Sequence, residues 1–172
     1  MTERADYTDA EWATVVAAPV AIIAAVIGAS PNGPVGISQE VGAAVEAFQQ
    51  AATTRRDNPL IAALLVTLKG RFEAFTGKQP EDAAGAEIDI FALASDPAKA
   101  LDACRAAGAL LARKAPPPLA EELRAWLVEL AHTVARAASE GGFFGIGGEQ
   151  VTRKEQAIIA EIEQALAGSQ TV

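Results

Sequence analysis

Four glutamates, Glu40, Glu140, Glu149 and Glu155, stand where glycine-containing stretches pass into helix starts. Carboxylate oxygens are the ligands that hard divalent cations take. Carboxylates at such places also satisfy free backbone N–H groups and complement the positive end of the helix dipole. Neither glycine stretch carries an aspartate cluster or EF-hand spacing. Helix capping is therefore the stronger reading of the four residues, and a weak divalent-cation site the sharper one. No other cofactor is indicated.

Glu129-Leu-Ala-His132 has the Glu-x-x-His spacing of carboxylate-bridged di-iron bundles. Such centres need two copies of the motif on core-facing positions, and this chain has one histidine. A helical wheel also turns Glu129 and His132 away from the stripe Leu123, Trp126, Leu130 and Val134. The single cysteine, Cys104, lies on an apolar helical face between Leu101 and Gly108 and reads as a small core residue. No nucleophile elbow accompanies the histidine. A non-enzymatic role is expected.

The stretch Gly141-Gly-Phe-Phe-Gly-Ile-Gly-Gly148 is the most unusual in the chain. Its glycines permit backbone conformations closed to other residues, while Phe143, Phe144 and Ile146 need burial somewhere. Three uses compete: a plug on the domain's own core, an anchor for a protein partner or second copy, and a membrane-interface insert. The plug is favoured, and the acidic neighbours Glu140 and Glu149 disfavour membrane contact. A phosphate cradle is excluded by the absence of a preceding strand and of the P-loop lysine spacing.

The elements that position these residues are all helical. Of 172 residues, 51% are hydrophobic but only 5% aromatic, an alanine-rich balance that favours helix. The length fits one domain able to bury its own core without staples. A net charge of −8 and an isoelectric point near 4.7 argue against a nucleic-acid surface and against attraction to anionic lipid. No signal peptide is evident at the polar, acidic start, so a cytoplasmic location is expected.

Thr8-Asp-Ala-Glu11 forms a capping box before Trp12–Ala29, a segment apolar around its whole circumference. Its Ala-rich composition, Pro19 and lack of a positive flank favour a fully enclosed central helix over a membrane span. Turn chemistry at Ser30–Pro34 precedes a helix carrying Ile37, Val41, Val45 and Phe48 to about Thr54. Asn58-Pro59 opens a third helix with the stripe Ile61, Leu64, Leu65, Leu68, Phe72 and Phe75. Residues 77–86 read as an exposed acidic loop, and Glu87–Ala94 as one or two helical turns. Asp96-Pro97 begins a helix ending at Arg113 and Lys114, followed by a break at Pro116–Pro118. Leu119 to about Ser139 is the next helix, and the capping box Thr152–Glu155 launches the last, which Gly168 stops. The expected fold is a single all-α domain of six or seven helices. Two approximate half-repeats, about 8–76 and 96–168, share a helix, a glycine loop and an acid-bearing helix start.

These two junctions resemble those of the TerB family, named for tellurite-resistance proteins. Its members carry, in each half, Asp-Gly, a hydrophobic residue, a capping Ser or Thr and a Glu opening the next helix. Glu140-Gly141 followed by Val151-Thr152-Arg-Lys-Glu155 is the better match, with Gly142–Gly148 as an insertion. Asn32-Gly33 and Val35 to Glu40 make the weaker one. The resemblance implies a compact helical domain in stress response, divalent-metal binding by acidic residues, or adaptor contacts. The expected function is a cytoplasmic interaction or stress-response module. Its alternative is a structural subunit or homo-oligomer that packs through Phe143–Ile146.

Overall fold

The chain was analysed as a computed structural model, which describes residues 4–29, 33–75, 93–140 and 151–168. Within these, the side chains of 34, 71–75 and 138–140 are outside the description. Among the described residues, six α-helices follow a 3-10 turn at Arg4–Asp6: α1 Asp9–Ala29, α2 Gly33–Thr54, α3 Pro59–Phe75, α4 Pro97–Lys114, α5 Pro117–Glu140 and α6 Arg153–Ala167. No strand occurs among the described residues, and the helices share one core, as the composition and periodicity lead one to expect.

Helix α1 is the axis of the bundle, in contact with all five other helices and most extensively with α4. Its apolar residues run round the whole cylinder, so no orientation would leave a polar face for water. The fold encloses it: Val16, Ala18, Ala21, Ile22, Ala24, Ala25 and Val26 have no exposed surface. A side chain of the size of Ile22 or Ile23 contributes roughly 1.5–3 kcal/mol when fully buried. Pro19 sits inside this helix and is also buried. By length and composition α1 could cross a membrane, yet 72% of its most apolar window is buried inside the protein.

Local chemistry starts and stops each helix. Thr8 Oγ1 accepts from the Glu11 N–H at 3.2 Å, and Glu11 Oε2 accepts from the Thr8 N–H at 2.8 Å. Asp96 caps α4 by accepting from the Lys99 N–H at 3.3 Å, with Pro97 in the first turn, where a missing N–H costs nothing. Pro117 and Pro118 open α5 for the same reason, so the proline run expected to lie wholly between helices instead supplies a first turn. Gly168 closes α6 with a φ of 68°, a conformation that favours glycine. Gly33 also has positive φ, and α2 begins there rather than after Pro34. Of the α3 stripe, Ile61, Leu64, Leu65 and Leu68 are buried, while the Phe72 and Phe75 side chains lie outside the description. The 77–86 segment and Glu87–Ala92 also lie outside the described residues, and Leu93–Ala94 are helical.

Two buried junctions tie the helices together. Asn58, 1% exposed, accepts from the N–H groups of Leu60 and Ile61 and donates to Leu119 O at 3.1 Å and Glu122 Oε2 at 3.0 Å. One side chain therefore caps α3 and pins the start of α5 to it. Gly108 on α4 meets the backbone of Leu166 on α6 so closely that an added Cβ would overlap the Leu166 carbonyl oxygen. The Gly108 carbonyl in turn accepts from the Arg124 guanidinium of α5 at 3.0 Å.

Removing the first junction should be costly. Asn58→Ala deletes the cap and leaves Leu119 O and the Glu122 carboxylate short of a donor, a loss of about 2–3 kcal/mol measured by urea unfolding. A second prediction concerns acid. Hydrogen bonds from Lys114 and from the Thr8 backbone hold the Glu11 carboxyl down, from an ordinary 4.5 to about 2. Since the folded state favours the ionised form, this contribution is complete above pH 4.5 and fades as pH falls through about 2. The melting-temperature difference between wild type and Glu11→Gln should accordingly shrink on acidification from pH 6 to pH 2.

Candidate functional site

The start of α6 is built from a few local bonds. Thr152 has extended backbone, with φ −67° and ψ 158°, which aims its side chain at the first turn of α6. Its hydroxyl accepts from the Glu155 N–H at 3.2 Å, and Glu155 Oε2 accepts from the Thr152 N–H at 2.7 Å. Gln156 Nε2 adds a bond to Val151 O at 3.1 Å. Burial of Ile158, Ile159, Ile162 and Leu166 then fixes which face of α6 turns inward.

Between this helix start and α5 lies an open groove of about 340 Å³. Val151, Ile159 and Ala160 supply its apolar surface, and His132, Gln156 and Glu163 its polar rim. His132 therefore does face outward from α5, as the helical wheel requires, but onto this groove. The segment carrying Phe143, Phe144 and Ile146 rejoins the described fold at Val151, on the edge of the same groove.

The two acidic candidates whose side chains are described, Glu40 and Glu155, are not brought together. Glu155 is 2% exposed and engaged in the capping box, the role that its sequence position suggests. Glu40 is wholly buried, and it does not sit at a loop–helix junction. Because α2 starts at Gly33, with Pro34 in its first turn, Glu40 falls well inside the helix. Glu40 and Glu155 thus lie on two helices, α2 and α6, that do not pack extensively on each other. Glu140 ends α5, but its side chain, like Glu149 and the residues Phe143, Phe144 and Ile146, lies outside the description. Among the described residues no three His, Cys, Asp or Glu side chains gather in a group that could hold a metal ion.

Elsewhere, Glu129 is engaged on the side of α5 that faces α2. Arg55, in the α2–α3 turn, contacts its carboxylate at 2.5 Å and that of Glu122 at 3.8 Å. Beside this pair a small cleft of about 40 Å³, lined by Gln50, Thr54, Thr133 and Trp126, has room for little more than a water molecule. Cys104 is buried, and burial pushes its thiol up to about 12, the mark of an inert core cysteine. The groove residues were not singled out by sequence periodicity. Periodicity separates inner from outer positions but says nothing about how far two neighbouring helices stand apart.

The capping role of Glu155 can be separated from any cation-binding role. Gln serves equally at the third position of a capping box, so Glu155→Gln should unfold within about 0.5–1 kcal/mol of wild type. Thr152→Ala should lose about 1 kcal/mol in the same denaturant titration. Comparison with protein families, with curated proteins and with solved structures returned no match.

Proposed function

We propose that this chain is a non-enzymatic, cytoplasmic interaction module of TerB-like type, acting in stress response. Its working surface in this proposal is the groove between α5 and α6. The groove itself carries the reading: an apolar floor of Val151, Ile159 and Ala160, a polar rim, and a capped helix start that holds it in shape. That combination suits the apolar side chain of a partner protein, with His132, Gln156 and Glu163 available to orient the flanking backbone. The Phe143–Ile146 segment belongs to the same surface in this proposal, since it joins the fold at the groove's edge. Divalent-cation binding, which the TerB resemblance implies, would draw on the acidic residues that flank that segment.

The test uses a residue that contributes nothing to the core. Ala160 is exposed, so Ala160→Arg should keep the wild-type melting temperature within about 2 °C while blocking the groove. Size-exclusion chromatography with light scattering, and crosslinking to partners, should show association by wild type that Ala160→Arg and the Phe143→Ser/Phe144→Ser double variant lose. The same associations in Ala160→Arg as in wild type would sink the proposal. Calorimetric titration with calcium, magnesium and manganese addresses the cation: absent heat and an unchanged melting temperature would remove that part.

A further inference from the structure

We propose that residues Arg4–Tyr7 form a strap that lifts off Trp12 as a unit of its own, without unfolding of the bundle. The inference rests on how the strap is held. Its one buried side chain is Tyr7, 4% exposed, whose ring lies 5.8 Å from the Trp12 ring. The Tyr7 hydroxyl is buried and has no hydrogen-bond partner among the described residues, so closing the strap strips it of water without return. Burial, with Asp6 and Glu11 nearby, raises its titration point, which keeps the hydroxyl neutral in the closed state.

Lys114 and Arg4, whose side chains reach solvent, tie Arg4–Tyr7 to α4 and α1, while Thr8 stays with α1 through its capping box and through the Trp12 N–H donated to Thr8 O at 2.8 Å. Lys114 Nζ, at the end of α4, donates to Asp6 O at 3.2 Å and to Glu11 Oε2 at 2.7 Å, and sits 5.6 Å above the Tyr7 ring. Arg4 donates to Tyr7 O at 2.7 Å, pairs with the almost fully exposed Asp9, and lies 5.4 Å over the Trp12 ring. Ion pairs and cation–aromatic contacts of this exposed kind are weak and are screened by salt. Trp12 belongs to both worlds: it is 5% exposed under the strap, and its indole N–H donates to Thr67 Oγ1 of α3 at 3.1 Å. Below it, α1 is locked by apolar burial that salt does not weaken. The strap and the core are therefore held by forces of different kind and very different extent. Opening converts a closed aromatic corner between α1, α3 and the end of α4 into an accessible one.

Hydrogen exchange followed by NMR tests this on the whole chain, with the Trp126→Phe variant used only to assign the two indole resonances. The Trp12 indole N–H should show much lower protection than the backbone amides of Ile22 and Ile23. Lys114→Ala should lower the Trp12 protection about fivefold and leave Ile22 and Ile23 unchanged. Tyr7→Phe, which removes the unpaired hydroxyl, should raise it by a similar factor. Raising the ionic strength on the wild-type chain should act in the direction of Lys114→Ala, so the test does not depend on any variant folding. Protection of Trp12 equal to that of Ile22 and Ile23, or indifferent to both Lys114→Ala and salt, would overturn the proposal.

Discussion

A helix without a polar face has to be surrounded, and the rest of this fold follows from that requirement. Helix α1 cannot lie on a surface, because water would meet isoleucine, valine or alanine on whichever side it was offered. Five helices close around it, and they can do so tightly because the contact surfaces are made of small residues. Ala18, Ala21, Ala24 and Ala25 on α1, and Ala100, Ala107 and Gly108 on α4, are all buried. Small side chains let helix axes approach closely, which compensates for the scarcity of aromatic bulk. The alanine-rich, aromatic-poor composition is thus a packing solution as well as a helix-forming one.

Polar chemistry in the described fold mostly serves to end helices and hold their ends in place. Thr8 with Glu11, Asn58, Asp96, and Thr152 with Glu155 each satisfy N–H groups that a helix cannot satisfy for itself. Two of these caps are buried and do more. Asn58 reaches across to α5, and Glu155 completes a helix start that forms one wall of the α5–α6 groove. The proposed interaction surface is in this sense a by-product of helix termination: capping fixes where α6 begins, and that position leaves the groove open beside α5.

What could be read in the sequence was what depends on near neighbours. The Thr152–Glu155 capping box, the Asp96-Pro97 start and the inward stripe of α5 each involve residues three or four apart, and each is found. Asn58 was legible as a cap for the same reason, but not as a hub, since Leu119 and Glu122 lie 61 and 64 residues away. Glu40 lies inside α2 rather than at its start because Gly33-Pro34, read as turn chemistry, also suits a first helical turn. The Tyr7 strap left no periodic trace, being a single turn fixed by Lys114 from the far end of another helix. The groove was equally silent, because it is a gap between elements and no residue pattern encodes a gap.

The enclosure of α1 has a consequence for synthesis on the ribosome. About 70 residues separate its last turn from the first turn of α4, the helix on which it packs most extensively. At 5–20 residues per second, that is a wait of roughly 4–14 s. Through that interval, among the described helices, α2 and α3 are the ones available to cover α1, the most apolar of them. Apolar surface exposed in this way is prone to aggregation. The order of helices along the chain therefore sets how long α1 waits before its own core can shelter it.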